Sequence, residues 1–229
     1  MKILEIKNLS LKSKKTNVLL LNNINLRLNK GETLGIVGES GSGKTLMGLS
    51  VTGLLDSSIF EVVSGEIIYN NKNLLVCPDE HLRQIRTKKI SMIFQEPMLS
   101  LNPVQTIKRQ LHEVIKLHVT KIQKEIDYLS KEIIIKTGLG NADKTLASYP
   151  HMLSGGQRQR VMIAIALVCK PDILIADEPT TALDVTLQLQ ILDLLNDFKT
   201  ENNMSMILVS HDLDLIKSYA DHMVILNNG

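Results

Sequence analysis

The octapeptide GESGSGKT, residues 38–45, stands between the apolar run TLGIV and the helix-forming stretch LMGLSVTGLL, and few chain arrangements tolerate that succession. It fits G-x-x-x-x-G-K-[ST] through Gly38, Gly43, Lys44 and Thr45, with a strand before it and a helix after it as the pattern requires. Gly41 and Gly43 leave room for backbone N–H groups to curl around a β-phosphate, with Glu39, Ser40 and Ser42 as the other loop residues. The following helix turns its unpaired N–H groups and positive dipole end to the same anion. Lys44 has the reach for β- and γ-phosphates, and the Thr45 hydroxyl suits Mg2+.

The rest of the chain agrees with an α/β core. KISMIF, DILIAD and MSMILVS, like TLGIV, are short continuous apolar runs closed by polar turns, the pattern of strands buried on both faces of a parallel sheet. KILEIKNLSL and NNINLRLNKGE instead alternate: Ile24, Leu26 and Leu28 are separated by Asn25, Arg27 and Asn29, which predicts a half-buried antiparallel β layer. Between Gln95 and Pro171 the segments TIKRQLHEVIKLHV, IQKEIDYLSKEIIIKTGL and GGQRQRVMIAIALV have helical length and no convincing strand. Residues 1–229 are therefore expected to form a single domain, with an α/β core over about 1–95 and 171–229 and an inserted helical subdomain over about 96–170. The final MVILNNG runs from a strand into turn-forming residues, so a further hairpin or tail is expected after Gly229.

A net charge of +2, with 22% charged residues, gives no nucleic-acid surface, so no nucleic-acid partner is expected. Cys77 and Cys169 have neither disulfide nor metal spacing and read as free thiols of a reducing compartment. The longest wholly apolar run, residues 161–169, falls short of the roughly 20 residues of a membrane helix, and MKILEIKNLS lacks a signal-peptide block. A soluble, cytoplasmic chain is the expectation.

Several polar residues sit at predicted strand ends, the edge at which α/β sheets bind ligands. Asp177 suits a hold on Mg2+ and Glu178 the general base that polarises water, although carboxylates after strands also cap helices. His211 follows MILVS in the same way, placed for a γ-phosphate, with Asp212 available as a helix N-cap. Gln95 follows SMIF; its amide can touch both a metal and a water, or simply make a turn. A second glycine-rich site, LSGGQ, opens a helix: Ser154 can cap or bind, Gly155 and Gly156 permit close approach, and Gln157 begins the helix. His81, His112, His118, His151 and His222 are scattered without ligand spacing.

GESGSGKT, FQEP, LSGGQ, ILIADEP, TALD and SHD, in that order and context, make the chain similar to ATP-binding-cassette (ABC) ATPases over nearly its whole length. The resemblance implies a P-loop NTPase (RecA-like) core with an antiparallel β layer and an inserted α-helical subdomain, and ATP and Mg2+ as ligands. It implies Gln95 as the Q-loop glutamine, Asp184 as the D-loop aspartate, and His211 as the switch histidine. It also implies that Ser154, Gly155, Gly156 and Gln157 contact ATP held by an opposite subunit. The longer strings IFQEPMLSLNP, YPHMLSGGQRQRVMIAIAL and ADEPTTALDVTLQLQIL resemble the ATPase subunits of oligopeptide, dipeptide and nickel importers, and the short C-terminus leans towards the nickel type.

That branch implies a second ATPase subunit, two transmembrane permease subunits and an extracytoplasmic solute-binding protein, with the ATPase peripheral on the cytoplasmic face of the membrane. The competing class, a soluble cassette ATPase of DNA repair or translation, would add a coiled coil, zinc modules or a second cassette. The family usually stacks adenine on an aromatic residue upstream of the phosphate loop. Here SLKSKKTNVLLLN has none, and the position falls near Lys15.

Overall fold

The computed structural model describes residues 1–96, 100–181 and 183–229. Two of the motif strings, FQEP with its MLSLNP continuation and TALD, therefore have residues (Pro97, Met98, Leu99 and Ala182) that lie outside the described ones. Two sheets make the frame. β1 (Lys2–Ser13), β2 (Leu19–Asn29), β4 (Phe60–Tyr69) and β5 (Lys72–Asn73) form an antiparallel sheet in the order β2-β1-β4-β5. β3 (Thr33–Val37), β6 (Ile90–Ile93), β7 (Ile173–Asp177), β8 (Ser205–Ser210) and β9 (His222–Ile225) form a five-stranded sheet in the order β6-β7-β8-β3-β9. Every pairing in the second sheet is parallel.

The continuous apolar runs are explained by two cores, one on each face of the parallel sheet. Ile173, Ile175, Ile207 and Val209 pack with the β layer and with Met47 and Val51 of α1 (Lys44–Thr52). The intervening Leu174, Ala176, Met206 and Leu208 pack against helices on the other side. Successive side chains of a strand point to opposite faces, so a strand covered on both must be apolar throughout. β3, β6, β7 and β8 are buried at every position, whereas the edge strand β9 is mostly exposed.

Between β6 and β7 the described residues contain four α-helices and no strand: α3 (Ile107–His118), α4 (Gln123–Lys136), α5 (Ala142–Ala147) and α6 (Gly155–Leu167). α2 (Asp79–Ile85), α7 (Val185–Asn202) and α8 (Leu213–Tyr219) are, with α1, the other α-helices among the described residues. The helix starts are set by local side chains: Thr106, Asn141, Ser154, Asp184 and Asp212 each accept a hydrogen bond from a backbone N–H of the first turn. Such a cap satisfies a donor that the helix cannot satisfy itself, and contributes about 0.5–2 kcal/mol. Val161, Ile163, Ala164 and Leu167 anchor α6 in the helical core. Cys77 and Cys169 are free, and burial pushes the Cys169 thiol up to about 11. Among the described residues no helix is long and apolar enough to cross a membrane.

Candidate functional site

Parallel strands end at one edge, and here that edge collects the predicted residues. β3 runs into the phosphate loop, β6 towards Gln95, β7 ends on Asp177 with Glu178 next, and β8 runs into His211. Gly43 immediately precedes α1 with φ +102°, a backbone shape that L side chains rarely adopt, so the turn from loop to helix needs glycine. Lys44 is only 6% exposed and folds back over the loop, donating to the carbonyls of Gly38 at 2.8 Å and Glu39 at 2.9 Å. Its ammonium lies 3.9 Å from Glu178.

Glu178 is the centre of the cluster. Its Oε2 accepts from the Thr181 hydroxyl at 2.9 Å and from the Gln95 amide at 3.3 Å, and lies 3.3 Å from His211 Nδ1. Its backbone has φ +45°, left-handed for a residue that is not glycine, while its N–H is tied to the Val209 carbonyl at 3.0 Å. Strained backbone of this kind costs of order 1–3 kcal/mol and persists where the surroundings over-determine it. Asp177, 2% exposed, leaves Oδ1 without a hydrogen-bond partner. Burial raises its carboxyl above the ordinary range; the Thr45 hydroxyl lowers it in part, the neighbouring Glu178 charge raises it further, and Lys44 pulls it back. Ser42 Oγ is also buried without a partner.

An orphaned buried carboxylate oxygen beside a threonine hydroxyl is an all-oxygen donor set, and hard Mg2+ prefers such donors. The residues therefore fit the ion: Asp177 and Thr45 would hold it, with the exposed Gln95 amide within reach of the same cluster. Glu39, Ser40 and Gly41 form the exposed rim of the loop.

The second glycine-rich site is not part of this cluster. Ser154 and Gln157 close a capping box on each other, Gln157 N–H to Ser154 Oγ at 3.3 Å and Ser154 N–H to Gln157 Oε1 at 3.0 Å. Gly155 has open space where a Cβ would be, and Gly156 only a distant Leu187 methyl. Asp184 likewise sits apart as the exposed N-cap of α7, accepting from Leu187 N–H at 3.0 Å. Lys15 lies in the exposed turn between β1 and β2.

Two contributors escaped the sequence. Thr181 donates to Glu178, and Gln159, 3% exposed on α6, donates to the Pro179 carbonyl. A glutamine among the apolar positions of a buried helix was the available signal for the second. Thr181 offered none beyond its place three residues after Glu178.

The family model for ABC transporters matches residues 21–181. The chain belongs to the ABC transporter family. This ABC chain is 44% identical over 229 residues to the oligopeptide transport ATP-binding protein AppD of Bacillus subtilis, covering 99% of the chain and 70% of that protein. To an uncharacterized ABC transporter ATP-binding protein, YejF of Escherichia coli, it is 45% identical over 99% of its own length and 43% of the relative's. To the peptidoglycan transport ATP-binding protein YejF of Agrobacterium fabrum it is 46% identical, covering 38% of that protein, so it spans well under half of these two relatives. Among solved structures, the dimeric ATP-binding cassette MJ0796 in a post-hydrolysis state with ADP and Pi superposes with a TM-score of 0.86 at 29% identity, covering 99% of this chain and 95% of that one. The cassette fold and an ATP-binding domain, with Mg2+ as the associated ion, follow from family membership.

Proposed function

We propose that the chain hydrolyses ATP to drive an ABC importer of small peptides, working as one half of a head-to-tail pair of ATPase domains. The observation that carries the chemistry is the gathering of Gln95, Thr181 and His211 on one oxygen of Glu178, 3.9 Å from Lys44. Glu178 takes a proton from the attacking water, and the hydroxyl and amide that it accepts from hold its carboxylate in one direction. Lys44 exchanges its two carbonyl partners for phosphate oxygens and faces the charge that builds there. His211, with an exposed ring, reaches the γ-phosphate from the β8 side. Mg2+, when bound, would supply charge neutralisation at the phosphates, and Asp177, Thr45 and Gln95 would hold it. Glu178→Gln is expected to slow steady-state hydrolysis by roughly 10²–10⁴ while ATP affinity stays within a few-fold. Turnover close to wild type would remove Glu178 from this role.

In the same reading, residues 154–157 meet ATP held by the second ATPase subunit, with Asp184 at that junction. Two transmembrane permease subunits and an extracytoplasmic solute-binding protein complete the importer, and the chain sits on the cytoplasmic face of the membrane. The names of the relatives, oligopeptide and glutathione ATPases among them, support a peptide cargo over nickel and over work on DNA or the ribosome. Uptake of labelled peptide and of nickel in cells lacking the chain tests it: loss of nickel uptake alone reverses the cargo.

A further inference from the structure

After β9 the chain stays against the phosphate loop. Leu226 donates its N–H to the Val37 carbonyl at 2.7 Å, just beyond the last β3–β9 pair, Val37 with Ile225. Gly229 then donates its N–H to the Ser42 carbonyl at 3.1 Å and accepts the Asn22 N–H at 2.6 Å. Residues 226–229 are thus a strap laid between the loop and β2. The approach is backbone on backbone: a Cβ on Gly38 would lie 2.3 Å from the Leu226 carbonyl oxygen, and one on Gly229 would lie 2.5 Å from that of Leu20. Neither neighbour is the yielding end of a side chain, so a substitution at either glycine must move main chain. Leu226 itself is 7% exposed and packs in the core between the two sheets.

We propose that this strap is a positioning element of the nucleotide site, fixing the Ser42–Gly43 peptide and with it the direction in which the Gly43 N–H donates to a phosphate. Among the described residues no peptide bond is cis. In a planar trans peptide the carbonyl and the N–H point opposite ways, so the Gly229 N–H that holds the Ser42 carbonyl towards the strap turns the Gly43 N–H away from it. Anion-binding loops work because successive N–H groups face one concavity, and a single peptide turned over would present a carbonyl oxygen to the anion instead. Glycine at position 43 makes such a turn easy, since both signs of φ are open to it. The strap removes that freedom before nucleotide arrives. The Asn22 N–H completes the tie, because it anchors Gly229 to the antiparallel layer rather than to the loop alone.

The inference rests on residues 38–45 being the nucleotide site, and the test separates the two. Gly229→Val is compared with Gly65→Val, a substitution of similar strain in β4, where φ is +106° and a Cβ would lie 2.5 Å from Leu9 Cα, away from the phosphate loop. Binding of a fluorescent ATP analogue is measured at a temperature where circular dichroism finds all proteins folded, and the Gly43 amide resonance is followed in nucleotide-free samples. The strap predicts at least a tenfold loss of affinity and a displaced Gly43 resonance in Gly229→Val, with affinity within twofold of wild type and the resonance in place in Gly65→Val. Gly229→Ala carries the same expectation should valine prevent folding. Unchanged affinity in the Gly229 variants, or an equal loss in Gly65→Val, overturns the proposal. Nucleotide binding that survives Lys44→Ala in an otherwise unaltered chain overturns the site reading instead.

Discussion

The two glycine-rich helix starts differ in what they leave undone. The phosphate loop is partly buried, bent through left-handed backbone, and holds or adjoins two groups with unmet bonds, Ser42 Oγ and Asp177 Oδ1, beside an ammonium that leans on its own loop carbonyls. The start of α6 is exposed and has met its own needs through the Ser154–Gln157 capping box. A site with unmatched buried polar groups gains when a ligand arrives, because those groups already carry their desolvation cost. A site that is satisfied alone gains only if a second surface brings an anion to it. That contrast suits the proposed roles, the first a binding site within one chain and the second half of a junction between two.

The strongest way to break this comparison is Ser154→Arg. ATP affinity of the isolated chain should stay within about threefold, while hydrolysis that depends on pairing should fall by about 10² or more. Hydrolysis at full rate by a monomeric Ser154→Arg chain would show that α6 has no such part. The next largest effect is expected at Asp177→Asn, which should weaken Mg2+-dependent ATP binding by about tenfold or more. The same change should raise the melting temperature of the Mg2+-free protein. Because burial raises the Asp177 carboxyl in the folded state, the native chain holds that proton more tightly than the unfolded one. The contribution of Asp177 to the stability of the Mg2+-free wild type should therefore be fully present below the ordinary aspartate range and be lost as pH rises through the raised value, a decline that the asparagine variant should lack. Thermal melts across pH, with and without Mg2+, check both signs.

A smaller effect is expected from Gln159→Leu, which removes a hydrogen bond between α6 and the loop that follows Glu178. The loss of about 1 kcal/mol of orienting energy should appear as a roughly fivefold lower kcat with KM little changed. A change in KM alone would make Gln159 a mere packing residue. Smallest is base selectivity: with Lys15 exposed where an aromatic ring is expected, ATP and GTP affinities should differ by only about a few-fold. A hundredfold preference for ATP would point to another base contact.

Legibility followed the range of the interaction. TLGIV, ILIAD and SMILVS could be read as strands because being covered on both faces demands an unbroken apolar run, a property of adjacent residues. Ser154 and Asp212 could be read as caps because the bonds they make close within three residues. The meeting of Gln95, Glu178 and His211 was inferable only as a shared sheet edge, and the distances came from tertiary structure. Gln159 and Pro179 are 20 residues apart, and Gly229, in the strap after β9, is far along the chain from Asn22 in β2, so no local pattern could pair them. The orphaned oxygen of Asp177 was invisible for the same reason: burial is set by what packs around it.

The capping box also bears on how readily a closed pair can come apart. The Gln157 N–H that an arriving phosphate would seek is already donated to Ser154, so the hydroxyl acts as a built-in competitor. Displacing a cap forgoes about 1 kcal/mol, roughly a fivefold weaker grip. In the proposed pair, loss of the γ-phosphate would let the side chain return to the helix end within its own chain, with no encounter needed. An ATPase that must open after every turnover gains from such a standing rival, which trades tightness for reversibility.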